Sequence, residues 1–466
     1  MEDEKEYHNL LDLGLDAFYL NESVDVACAQ FAANSLLGSI IVDKLIFKTP
    51  FGNRKITADG MFVIIGQSGT EKTTPIEEAE RISKQLRFDI PAVFTVESLR
   101  DYFSKHQTQD GVNPQTGEST TIELPEYEFD NFGLIYWDEM SQQFSDAQKK
   151  TYMSGTIEAM ASVYNHHLKS TYLKGEGVVK RSRPMYISMI GSMVPAFLKD
   201  VPNTFWSQGL AGRINWKYID PMDYEINKGD WNDFSHETRA RHYLARYQKA
   251  LKIILDNMSN LNPEEINVQV DEEANTIIKQ FKEKCESVWQ SRAVGNDFGW
   301  EHAYLKRLPE MAAKSAFRRA IGRHFMLMYQ WDASSQEWVK KEDGKTWADF
   351  KYITKDDMEY GKKHAMRSKK DIEDMFIKLK AHVAKDKSPQ SRMMAALLEA
   401  PNRMLTSEQW RLNAAISPNV FTKYKKKLLV NKKVMRVNKA AITDLEEKIR
   451  LGVGTSSKVY TILLGK

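Results

Sequence analysis

At 466 residues the chain is longer than a single hydrophobic core usually organises, and two or three domains are expected. Its composition, 42% hydrophobic and 28% charged, excludes a disordered chain, and apolar stretches such as residues 36–42 fall far short of the roughly 20 residues of a membrane span. Net charge is only +3, yet residues 401–466 hold 14 Lys and Arg against 4 Asp and Glu, so an anionic partner, nucleic acid foremost, is expected there.

In chain order, Leu10, Leu11, Leu13, Leu15 and Phe18, then Val26, Phe31, Leu36 and Leu37, recur at helical spacing and predict two packed helices over residues 7–45. Lys44 to Ile56 is strand-like around a turn at residues 49–53, and Met61 to Ile65 predicts a strand ending in glycine. A helix follows with Ile76, Ala79, Ile82 and Leu86 on one side, then a strand at residues 92–96 and a short helix from Glu97 to Phe103. This β-α-β-α alternation predicts a parallel sheet flanked by helices. Residues 104–130, polar and rich in Gly, Pro and Thr, read as an exposed loop or insertion. Phe132 to Trp137 and Met185 to Ile190 are apolar throughout, as strands covered on both faces must be. Residues 237–330 read as a helical lid or bundle, with long segments from Val268 to Trp289 and His302 to Gln330. Asp332 to Asp349 suits a hairpin or linker near a domain junction at residues 335–370. Helices from Gln390 to Glu399, after Ser407, and from Ser417 to Val430, then strands from Lys433 to Val437 and Val459 to Leu464, form a winged helix-turn-helix pattern.

The expected organisation is therefore a helical lead-in (1–45), an α/β core (46–235), a helical lid (236–330), a linker with helices (331–385) and a winged helix (386–466). Cys28 and Cys285 are far apart in sequence, so they make neither a disulfide framework nor a cysteine-built metal site within one copy. Residues Met1 to Glu6 lack the basic start and apolar run of a secretory signal, and a cytoplasmic location is expected.

The segment Gly66-Gln-Ser-Gly-Thr-Glu-Lys-Thr73 follows an apolar strand and opens a helix, the setting of a P-loop. Backbone N–H groups from Gly66, Ser68, Gly69, Thr70 and Glu71 through Thr74 would cradle phosphates. Lys72 would reach the β and γ phosphates of ATP, and the Thr73 hydroxyl would ligate Mg2+. Against G-x-x-x-x-G-K-[ST], the second glycine is Glu71, a carboxylate where phosphate must sit and a Cβ where glycine's freedom is usual. Some 65 residues on, Asp138 and Glu139 end a buried strand. There Asp138 would help to hold Mg2+ and Glu139 would polarise the attacking water. Ser192 is either a residue orienting that water or a plain turn serine. Arg213, after the glycines at 209 and 212, is either an arginine finger for a neighbouring subunit or a surface arginine.

Together, Gly66 to Pro75, Phe94 to Leu99, Leu134 to Glu139, Ile187 to Ser192 and Gly209 to Arg213, within residues 35–325, resemble a P-loop ATPase family. It is the family found in phage, plasmid and mobile-element primase-helicase proteins, similar to AAA+ and minichromosome maintenance helicases. The resemblance implies an AAA+-like ATPase core and ATP hydrolysis by a homo-oligomer, a hexameric ring being one form, acting on DNA as a helicase or translocase in replication. Glu71 and the extra threonine before Pro75 depart from the family pattern.

A Gly-Glu-Gly turn at residues 175–177 suggests a hairpin with Lys174 at its tip, similar to a pore hairpin that grips DNA, or a solvated edge hairpin. His166 and His167 lack the nearby ligands of a metal site. Arg307 and Lys314 share a helix face and either touch nucleotide or stand as surface charges. Lys423, Lys425, Lys426 and Lys427 crowd the expected recognition helix, where phosphate contacts would add salt-dependent DNA affinity. A second function stays open: an initiator or DNA-binding regulator whose Glu71 leaves nucleotide bound but unhydrolysed.

Overall fold

The computed structural model describes residues 5–19, 24–41, 45, 47–48, 55–90, 108–112, 119–123, 131–140, 156–166, 171–173, 178–180, 185–195, 198, 201, 205, 210–219, 235–261, 266, 268–294, 300–386, 389–400, 404–414, 418–430, 434–437 and 459–462. The chain divides into two compact units, Met1–Ile372 and Glu373–Lys466.

The first unit opens with α1 (Leu10–Phe18), where the Asn9 side chain accepts the Leu11 N–H at 3.0 Å, and α2 (Val26–Ser39), where Asp25 accepts the Ala27 N–H at 2.8 Å. Apolar or small nearly all round, α2 is buried along its length instead of along one stripe. The short strands β1 (Phe47–Lys48) and β2 (Lys55–Ile56) pair antiparallel, and the turn expected at residues 49–53 lies outside the described residues. Then come β3 (Met61–Ile65), α3 (Thr74–Leu86) and β4 (Asp89–Ile90). Within the stretch expected to be loop, β5 (Thr108–Val112) and β6 (Ser119–Glu123) form an antiparallel hairpin. Thr108, Thr120, Thr121, Val112 and Ile122 supply strand propensity that the polar composition hides. β7 (Phe132–Trp137), α4 (Thr156–Val163) and the antiparallel pair β8 (Thr171–Leu173) and β9 (Val178–Lys180) follow.

β10 (Tyr186–Met193) and β11 (Ile214–Tyr218) complete the sheet strands. Three long helices, α5 (Ser235–Asn260), α6 (Glu272–Val294) and α7 (Trp300–Met328), occupy the region read as a helical lid. β12 (Gln269–Val270) pairs in parallel with β15 (Tyr352–Ile353), while β13 (Tyr329–Asp332) and β14 (Glu337–Lys340) make the hairpin expected there. The division between units falls inside α8 (Lys355–Asp386). The strand expected at 92–96, the helix from Glu97 to Phe103 and the tip residue Lys174 lie outside the described residues.

The centre of this unit is a five-stranded parallel sheet in the order β11-β3-β10-β7-β4. All five residues of β3 and seven of the eight in β10 are buried, because helices including α2 and α3 cover the sheet. The strand beginning at Met185 was expected to stop at Ile190; it continues through Gly191 and Ser192 to Met193. β10 lies between β3 and β7; its ladder with β7 reaches Gly191, and its ladder with β3 carries it on through Ser192 and Met193.

In the second unit, α9 (Pro389–Glu399), β16 (Met404–Thr406), α10 (Ser407–Asn413) and α11 (Pro418–Val430) precede β17 (Val434–Val437) and β18 (Val459–Ile462). The strands form an antiparallel sheet in the order β16-β18-β17. Trp410, fully buried, donates its indole N–H to Met393 O at 2.6 Å and meets Phe421 edge-on at 5.3 Å. Thr406 and Gln409 cap α10 reciprocally: Thr406 Oγ1 accepts the Gln409 N–H at 3.3 Å, and Gln409 Oε1 accepts the Thr406 N–H at 3.1 Å.

Candidate nucleotide site

Because the sheet is parallel, its strands deliver their C-terminal ends to one edge, where ligands of open α/β sheets bind. The loop leaving β3 is tied there on both sides: Gly66 N donates to Met193 O at 3.1 Å, and Ile219 N to Ile65 O at 2.8 Å. Thr70, buried, closes the loop by donating its hydroxyl to Gln67 O at 2.9 Å. Lys72 is only 6% exposed, and its ammonium reaches Gln67 O at 3.4 Å, a long bond readily exchanged for a better acceptor. Ser68 and Gly69 are exposed at the loop tip, and Gly69 has φ of 86°, where a side chain would be strained.

Glu71 holds φ of 50°, so the loop keeps the left-handed turn that the usual glycine would make, with a Cβ present. Its exposed side chain is engaged by the Thr74 hydroxyl, which donates to Oε2 at 2.8 Å. Thr73 is the N-cap of α3 yet makes no side-chain cap bond, and Pro75 sits in the first turn, where its missing N–H leaves no helical bond unmade.

The register of β7 on β10 pairs Trp137 with Gly191, so the next residues, Asp138 and Ser192, meet. Ser192 Oγ donates to Asp138 Oδ1 at 2.6 Å, which makes Ser192 a strand serine that holds a carboxylate, in place of the turn serine weighed from sequence. Gly191 is required at this crossing: a Cβ would come within 2.4 Å of Trp137 O. Asp138 is exposed, Oδ1 also accepts the Glu139 N–H at 3.0 Å, and Oδ2 makes no such bond among the described residues. Glu139 has φ of 48° and a buried Oε2 without a hydrogen-bond partner among the described residues. Burial pushes its carboxyl above the usual range, the Asp138 charge adds to this, and the Lys72 ammonium acts against it. Two non-glycine residues in left-handed backbone and one orphaned carboxylate oxygen concentrate strain at a single edge.

This set fits a magnesium nucleotide on its own geometry. Thr73 offers an uncapped hydroxyl, Asp138 an open oxygen, Lys72 a cation, and the Gly66–Thr74 loop its backbone N–H groups. Among the described residues no group of three or more His, Cys, Asp and Glu is placed to hold a metal ion. A cation at Thr73 and Asp138 would need further ligands beyond these residues, which magnesium commonly takes from water and phosphate.

The other sequence candidates lie elsewhere. Ile214 pairs with Met61 at the start of β3, so Arg213 sits at the opposite edge of the sheet from Gly66. It is 9% exposed, in a 3-10 turn, with its guanidinium over the Tyr164 ring at 5.8 Å; burial first, and then Arg307, depress its pKa. Lys314 is a buried ion-pair partner, contrary to both the nucleotide-contact and surface-charge expectations: its ammonium lies 2.8 Å from Asp59 Oδ2 and 4.2 Å from the Tyr164 centroid. Arg307 pairs with Glu310 at 2.8 Å, and both line a cavity of about 650 Å³ between α6 and α7. His166 bonds Asp59 Oδ1 at 3.0 Å. Burial alone would raise the Asp59 carboxyl; Lys314 and His166 outweigh it and hold the group well below the usual range. Nothing in the local sequence marks Asp59, whose partners lie 107 and 255 residues away.

On α11, Lys423, Lys426 and Lys427 are exposed, whereas Lys425 is half-buried over the Phe421 ring at 5.2 Å. Among the described residues no helix is long and apolar enough to cross a membrane. No protein-family model matches the chain, and no curated protein matches its sequence.

Proposed function

We propose that the chain is a P-loop ATPase that acts on DNA, a helicase or translocase with an AAA+-like core and a C-terminal winged helix. The observation that carries this reading is that the loop after β3, with Lys72 and Thr73, and the end of β7, with Asp138 and Glu139, open on the same edge of the parallel sheet, where Ser192 is bonded to Asp138 and Glu139 Oε2 has no hydrogen-bond partner among the described residues. Lys72 and the loop N–H groups bind and orient the phosphates, while Thr73 and Asp138 would hold Mg2+, which would supply charge neutralisation on them. Glu139, raised toward neutrality by burial, accepts the proton of the attacking water. Water oxygen bonds to the γ phosphorus, the bond to the β–γ bridging oxygen breaks, and ADP and phosphate leave.

Arg213 faces away from this edge in its own chain, so its part in hydrolysis would be played on a neighbouring copy in a homo-oligomer, after leaving Tyr164. The basic second unit supports DNA as the partner. The alternative, a regulator that binds nucleotide without hydrolysing it, rests on Glu71; the retained left-handed turn and the Thr74 contact favour the hydrolytic reading. Turnover measured with and without DNA tests it. Glu139→Gln is expected to lower DNA-stimulated hydrolysis by about 100-fold or more while nucleotide binding survives. Absence of hydrolysis by the unaltered chain in the presence of DNA refutes the enzyme.

A further inference from the structure

Helix α11 presents two faces of different chemistry. Val420, Phe421, Tyr424, Leu428 and Leu429 turn toward the core of the second unit, and Lys425 flanks them over the Phe421 ring. The opposite side is one stripe: Asn419, Thr422, Lys423, Lys426 and Val430 are exposed at the i, i+3, i+4, i+7 and i+11 spacing of a single helix face, with Lys427 beside it. No acidic residue occurs anywhere on the helix, and Lys423, Lys426 and Lys427 have no ion-pair partner among the described residues. At 13 residues α11 is about 20 Å long, and the DNA major groove, about 12 Å wide, admits a helix of this kind.

We infer that this stripe reads double-stranded DNA in the major groove, with Asn419 and Thr422 at base edges and Lys423, Lys426 and Lys427 on phosphates. Asn419 stands near the N-terminal end, where recognition helices meet bases, and its amide offers the donor-acceptor pair that matches adenine. The Thr422 hydroxyl donates to Pro418 O at 2.9 Å, which leaves its oxygen lone pairs and methyl group for a base edge. Lys425 takes no part, because its ammonium is held over the Phe421 ring on the core side of the helix. The inference rests on the DNA partner proposed above and is independent of the nucleotide chemistry, so it is tested without nucleotide.

The full chain is used to select from a pool of random duplexes of about 20 base pairs, and anisotropy then compares the selected duplex, an unselected duplex and the selected single strand. One preferred duplex sequence is expected. Asn419→Ala with Thr422→Ala is expected to cut preference for it about tenfold or more, with affinity for unselected duplex held within about twofold. Lys423→Ala and Lys426→Ala should weaken both duplexes alike and each lower the salt slope by about one. Lys425→Gln should change neither by more than about twofold. Thermal melts matching the unaltered protein show that each variant is folded. Selection without enrichment, an Asn419→Ala with Thr422→Ala variant that keeps the full preference, or a loss with Lys425→Gln equal to that with Lys423→Ala overturns the inference. DNA-free ATP turnover, measured alongside, shows whether the nucleotide reading stands when this one falls.

Discussion

Replacing Glu71 with glycine sets three contributions against one another. Glycine relieves a φ of 50° at a residue carrying a Cβ, worth about 1–2 kcal/mol. The change also gives up the exposed 2.8 Å bond from the Thr74 hydroxyl, about 0.5–1 kcal/mol, and returns about 0.5–1 kcal/mol of freedom to the unfolded chain. These nearly cancel. Glu71→Gly is expected to move folding stability by less than about 1 kcal/mol and nucleotide affinity by less than about fivefold, since Lys72 and Thr73 keep their places. Glu71→Ala keeps the strained turn and loses the bond, so it should be the less stable of the two. Thermal melts without nucleotide and titration with a fluorescent adenine nucleotide read both quantities. A gain in affinity or turnover above about tenfold with glycine would refute the reasoning, because the carboxylate and not the backbone would then limit the site.

Ser192→Ala removes the 2.6 Å bond to Asp138 and should raise the magnesium concentration needed for half-maximal turnover, with nucleotide affinity in excess magnesium little changed; an unaltered magnesium dependence counts against the Asp138 role. The acid limb of the pH–rate profile should lie above the ordinary glutamate range of about 4.3, since burial and then Asp138 raise Glu139; a limb at or below that range removes Glu139 as the base. Lys314→Ala leaves Asp59 buried without its main partner and should destabilise the first unit by about 3–5 kcal/mol in denaturant melts. Asp59 titrates lower folded than unfolded, so its contribution is in place above about pH 4 and is lost as pH falls; between about pH 5 and 3 Asp59→Asn should lose less stability than the unaltered chain.

Periodicity was enough for the elements whose burial is uniform. Met61–Ile65 and Phe132–Trp137 stand where their apolar runs placed them, and the two helices that apolar spacing predicts over residues 7–45 are present, capped by Asn9 and Asp25. The hairpin of β5 and β6 was hidden because its strand formers are threonines set among glycine and acids. Arg307 and Lys314 share a helix face, yet one meets Glu310 three residues on and the other meets Asp59 across the fold. Helical spacing reports a direction and not what lies in it.

Local order, from loop to helix and from strand to paired carboxylates, was thus determined by the sequence itself, because turn chemistry and burial period act over a few residues. Only the tertiary structure decided which side chains share an edge. Parallel pairing in the order β11-β3-β10-β7-β4 puts β10 between the loop strand and the carboxylate strand, so Ser192 reaches Asp138. The same pairing sends Arg213 to the far edge. It also took backbone angles to show that Glu71 keeps a glycine-like turn, since the cost of a Cβ there depends on φ and on the Thr74 hydroxyl beside it.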